Sequence, residues 1–110
     1  MTNIDVFMKE NTVIIKAKGH ATGNNSVCGA ISGMMFALEA WLVNNKDLVR
    51  KHSFDFDEGE SRIEFIPLES ESFTVLEFVL IGLYEFEQNY REYMKLNISD
   101  DISHLLRTRF

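Results

Sequence analysis

Apolar and polar positions alternate at the start of the chain, where Ile4, Val6 and Met8 are interleaved with Asp5, Phe7 and Lys9. That period of two predicts a strand with one buried face. Glu10-Asn11 supplies a turn, and Thr12 to Lys18 reads as a second strand, so the chain opens on a hairpin. The period then changes. Val27, Ile31, Met34, Leu38 and Trp41 recur at helical spacing and predict an amphipathic helix from about Ser26 to Val43. Asn25 or Ser26 is the expected cap, and Asn44-Asn45-Lys46 the expected stop.

Residues 46 to 53 read as a solvated connection carrying Lys46, Arg50, Lys51 and His52, with His52 placed before the next strand. Ser53 to Asp57 alternates again, Glu58-Gly59-Glu60 turns, and Arg62 to Ile66 alternates in its turn, which predicts a second hairpin. Its acidic residues, Asp55, Asp57, Glu58, Glu60 and Glu64, read as the wet side of a sheet rather than as a calcium loop. Pro67 closes the strand. With Ser70 or Ser72 as candidate cap, a long second helix follows on the stripe Leu76, Val79, Leu80, Leu83, Phe86 and Tyr90. Val75, Phe78, Ile81 and Tyr84 widen its apolar surface beyond one core-facing stripe and predict a second copy of the chain packed there, a homodimer. Ser99-Asp100-Asp101 caps a short last helix from Ile102 to Arg109. The predicted architecture is α+β, a two-layer β-β-α-β-β-α domain with a sheet of roughly four strands covered by two helices.

Length and composition narrow the partners. A chain of 110 residues, 45% of them hydrophobic, supports one compact core. A formal charge of −6 argues against a nucleic-acid surface, which needs clustered Lys and Arg. One cysteine and three scattered histidines imply neither a disulfide nor a metal site, and no cofactor is expected. Charged residues through positions 1 to 20 argue against a signal peptide or membrane span there, so a cytoplasmic protein with a reduced thiol is expected.

The candidate chemistry sits between the first hairpin and the first helix. Cys28 falls in the first helical turn, and His20 lies eight residues before it, at the end of the second strand. Amide donors and the positive end of the helix dipole favour an anion there and hence the thiolate. A histidine brought within hydrogen-bond reach by the intervening loop supplies a base, making a nucleophile with its activating partner. The same amides offer oxyanion stabilisation. Gly23 lets the loop turn sharply, and Gly29 leaves the helix surface bare beside the sulfur.

The stretch Gly19-His20-Ala21, a Gly-containing loop, then Val27-Cys28-Gly29-Ala30-Ile31-Ser32 resembles the ribosomal-processing cysteine protease (Prp) family, whose pattern is Gly-His-Ala, a glycine-rich loop, Asp-x-Val-Cys, two small residues, an apolar one and Ser. The likeness spans residues 1 to 97, where Leu83 to Asn97 resembles that family's closing helix, and leaves residues 98 to 110 as a C-terminal extension. It implies His20 as general base and Cys28 as nucleophile, with Gly19, Gly23, Asn25 and Ser32 supporting or binding substrate. Two departures are visible: the loop between His20 and Cys28 is several residues shorter than usual in the family, and Asn25 stands where aspartate is common. Asparagine keeps an oxygen for capping while removing a charge.

By this resemblance the chain is a cysteine endopeptidase that removes the N-terminal extension of a large-subunit ribosomal protein precursor, cutting after aromatic residues in a short extended segment. Two alternatives fit the same residues: a homodimeric peptide-binding or regulatory relative with weak or no activity, and a phage relative acting on another precursor.

Overall fold

The computed structural model describes residues 1–19, 24–57 and 59–106. The opening hairpin joins β1 (Thr2–Lys9) to β2 (Thr12–Lys18) in antiparallel register, with Lys9 opposite Thr12. Both turn residues take positive φ, 52° at Glu10 and 68° at Asn11. This mirror-image turn matches the right-handed twist of the flanking strands. Helix α1 spans Asn25–Asn44, followed by a short 3-10 turn over Lys46–Leu48 and strand β3 (Val49–Asp57). Then come β4 (Glu60–Pro67), α2 (Ser70–Asn89), β5 (Met94–Ile98) and a short helix α3 (Asp100–Ser103) that runs on as a 3-10 turn over His104–Leu106.

Among the described residues the sheet has five strands in the order β3-β4-β2-β1-β5, and only the β1–β5 pairing is parallel. The α+β two-layer architecture is therefore as predicted, with one more strand than expected. The addition comes from the segment read as the end of a closing helix. Helix α2 stops at Asn89, where the Tyr90 amide bonds back to Phe86 and Glu87 and the Tyr90 carbonyl then accepts from Tyr93 and Met94. Met94, Leu96 and Ile98 next alternate with Lys95 and Asn97 along β1, and the Leu96 amide donates to the Glu87 carboxylate at 2.6 Å. The alternation is visible in the sequence; a helix assignment extended through Asn97 overrides it.

Strand β3 also begins earlier than predicted and includes His52. One extra residue is inserted between Arg50 and Ser53, with Lys51 at φ 51°. Such a bulge breaks the period of two, so Val49, which is buried, and Phe54, which packs on the core, stand five residues apart. His52 pairs with Glu39 of α1, tying helix to strand, and both side chains are about four-fifths buried.

The core lies between the sheet and the two long helices. Ile4, Val6, Val13, Ile15, Ile63 and Phe65 rise from the strands to meet Val27, Ile31, Met35, Leu38 and Leu42 of α1 and Leu76, Val79, Leu80 and Leu83 of α2. Met35 and Leu42, rather than Met34 and Trp41, are the fully buried members of the α1 stripe; the latter two pack at its edge. By length and composition alone α1 is long and apolar enough to cross a membrane, yet its Val27, Ile31, Met35, Leu38 and Leu42 are buried inside the domain. Gly82 opens room on α2 for Met34, whose Cε lies 2.5 Å from where a Cβ would stand. Ser72 is wholly buried rather than capping α2, its hydroxyl donating to the Leu48 carbonyl; Glu69 holds the cap position. Ile102, Leu105 and Leu106 join the same core, while residues 107–110 lie outside the described residues.

Candidate active site

The first turn of α1 positions the cysteine. Asn24 has the extended backbone of a capping residue, φ −142° and ψ 90°, and its side-chain oxygen accepts from the Val27 amide at 3.1 Å. Its carbonyl accepts from the Cys28 amide at 3.4 Å. The cap is thus Asn24, not Asn25 or Ser26, and Asn25 is the exposed first residue of the helix. Cys28 sits in the first turn as predicted. Since Asn24 engages the amides of Val27 and Cys28, an oxyanion would need other donors than these two.

Cys28 is half-buried and opens onto a cleft of about 310 Å³ between the start of α1 and the adjoining strand ends. Ser32, one helical turn further on, stands on the same wall with Ile31. Ala17 and Gly19 come from the end of β2, Thr2 from β1, and Phe56, Asp57, Gly59, Glu60 and Ser61 from the β3–β4 hairpin. Asp57 and Glu60 are opposite one another in the ladder, so the exposed rim carries two carboxylates while the cleft interior is largely apolar. Among the described residues no three His, Cys, Asp or Glu side chains are grouped to hold a metal ion.

Gly19 holds the strand end that leads to His20. Its φ is +96°, and a Cβ there would lie 2.5 Å from the Met1 carbonyl oxygen, so the close approach demands glycine. Its amide donates to the Gly59 carbonyl at 2.8 Å, and its carbonyl accepts from the Thr2 hydroxyl at 3.4 Å. The end of β2 is thereby fastened to the N-terminal residues and to the second hairpin. His20 and Gly23 lie outside the described residues. Of the predicted site residues, Gly19, Cys28 and Ser32 meet in the cleft, while Asn25 does not line it. Gly29 leaves open space within 4 Å of its would-be Cβ, the bare surface expected beside the sulfur.

One group beside the cleft is not among the residues expected from the sequence. Phe36 on α1 contacts Phe54 and Phe56 of β3, with ring centroids 5.7 and 4.8 Å away. The signal was present: Phe36 follows Cys28 and Ser32 at intervals of four, which puts the three on one helix face.

No protein-family model matches the chain, and no curated protein does. Solved structures do. The essential ribosomal processing protease Prp from S. aureus, in complex with a covalently linked product peptide, superposes with a TM-score of 0.75 at 22% identity, covering 90% of this chain and 100% of that one. The same protease in complex with a substrate peptide gives 0.70 at 19%, with the same coverage. A protein from Streptococcus mutans gives 0.66 at 19%, covering 89% of this chain and 93% of its own. Over nine-tenths of its length, then, this chain has the fold of the ribosomal processing protease Prp.

Proposed function

We propose that the protein is a cysteine endopeptidase of the Prp family that removes the N-terminal extension of a large-subunit ribosomal protein precursor, with Cys28 as nucleophile and His20 as general base. The observation that carries this reading is the position of Cys28, in the first turn of α1 at the mouth of a peptide-sized cleft. The similar Prp structures hold a substrate peptide and a covalently linked product peptide. His20 is the histidine joined to the cysteine by a short segment. His52 is committed to Glu39, eleven residues beyond Cys28, or about 16 Å along the helix.

In the proposed reaction the Cys28 thiolate attacks the scissile carbonyl carbon, and the π-bond electrons move onto oxygen. Collapse of that intermediate breaks the C–N bond, the imidazolium of His20 gives its proton to the departing amine, and the N-terminal fragment remains as a thioester. Neutral His20 then takes a proton from water, hydroxide adds to the thioester, and the thiolate leaves. No metal or cofactor enters. The homodimer and the cytoplasmic location belong to the same proposal, the former supported by Phe78, which is 69% exposed on α2.

Incubation with a leader peptide ending in aromatic residues tests the reading. The intact protein should cleave it, and Cys28→Ala and His20→Ala should each lower the rate by at least about a hundredfold. Binding without cleavage by the intact protein would favour a peptide-binding module, and cleavage by the Cys28→Ala protein would remove the thiol from the mechanism.

A further inference from the structure

The three rings beside the cleft have a geometry of their own. Phe36 and Phe56 are 4.8 Å apart between centroids, Phe54 and Phe56 are stacked at 6.2 Å, and Phe36 meets Phe54 edge-on at 5.7 Å. Although they touch one another, Phe36 and Phe56 remain 47% and 50% exposed. Half of each ring therefore faces solvent, a cost in apolar exposure that the adjoining core does not relieve. Phe56 belongs at once to this group and to the lining of the cleft that Cys28 enters. Along α1, Phe36 stands eight residues past Cys28 on the same face, about 12 Å away, the span of three to four residues of extended peptide.

The geometry points to Phe36, Phe54 and Phe56 as the platform that receives an aromatic side chain of the peptide, within about four residues of the bond presented to Cys28. This assignment rests on the reading of the cleft as a peptide site and adds the residues that select its occupant. Continuity with the cysteine cleft commits the platform to a side chain of the same extended segment. A ring entering there is met by ring edges and faces at the centroid separations aromatic groups favour, and it covers the open halves of Phe36 and Phe56. Phe54, packed on the core beneath them, fixes the height of the platform.

The test uses the full chain carrying Cys28→Ala, so that binding is read without turnover. Two fluorescein-labelled octapeptides serve as probes, one with two central phenylalanines and one with alanines in their place. Phe36→Ala and Phe56→Ala should each weaken binding of the phenylalanine peptide by about tenfold, and binding of the alanine peptide by less than twofold. Phe56→Leu, which keeps apolar area without the ring, should fall between, and thermal melts establish that each variant is folded. Equal weakening for the two peptides, or unchanged affinity, overturns the platform. Turnover by the protein with Cys28 intact separates the two proposals. Ring-dependent binding without cleavage would end the protease reading and keep the platform, whereas equal cleavage of both peptides would keep the protease and end the platform.

Discussion

Two residues flank the link between β2 and α1, one through its side chain and the other through its backbone. Asn24 supplies the side-chain acceptor that starts α1, while Gly19 allows β2 to end against the Met1 carbonyl. Asn24→Ala should lower stability by about 1 kcal/mol in urea unfolding, and Asn25→Ala by no more than about 0.5 kcal/mol, because only the former removes a cap. Equal losses would contradict the assignment of the cap to Asn24, and a larger loss at Asn25 would move it there. For Gly19→Ala, left-handed backbone and a contact at 2.5 Å with main chain act together. A loss of about 1–3 kcal/mol is expected, and an unchanged melting midpoint would contradict the close approach. At this scale the sequence revealed the place of Cys28 well, because the Val27, Ile31, Leu38 stripe fixes the helical phase. It did not reveal which residue caps, since Asn24-Asn25-Ser26 offers three competent side chains and the choice is made by which backbone stays extended.

Among the elements, both hairpins were legible because strand-like apolar runs lead directly into turn residues. Thr12 to Lys18 agrees to the residue, whereas the start of β3 was hidden by a bulge at Lys51 that shifts the apolar phase by one. Strand β5 was legible in principle from Met94, Leu96 and Ile98, but five residues after a long helix compete poorly with a helical continuation. The role of α3 was not legible, because nothing in Ile102 to Leu106 distinguishes a frayed tail from a core segment until β1 and α2 are there to receive it. With Ile102 1% exposed, Ile102→Ala should cost about 2–4 kcal/mol in denaturant unfolding, and a cost below about 0.5 kcal/mol would mean the segment is dispensable to the core.

The whole molecule combines a sheet-and-helix core with apolar side chains left exposed at several of the described positions. Some lie beside the cysteine cleft, at Phe36 and Phe56, and the most exposed lies on α2, at Phe78. The excess of apolar positions on α2 was legible because Val75, Phe78, Ile81 and Tyr84 exceed what one core-facing stripe can use, and of these Phe78 stands the furthest out. If α2 carries the homodimer contact, sedimentation velocity should give twice the chain mass of 12.7 kDa, with Phe78→Ser shifting the population to monomer and Phe56→Ser leaving it unchanged. A monomer at all concentrations would remove the dimer. The shared architecture with Prp was legible in the residues around Gly19 and Cys28, although identity to the solved structures is only 22% or less in those compared.

If Cys28 is the nucleophile, its sulfur is acylated by the peptide during turnover. Acid-quenching the protein during turnover of an aromatic leader peptide, followed by intact-mass and fragment analysis, reads this directly. The expected result is an added mass equal to the N-terminal fragment less water, located on Cys28 and lost with further incubation. An adduct on another residue, or product accumulating at an undiminished rate with Cys28→Ala, would contradict it.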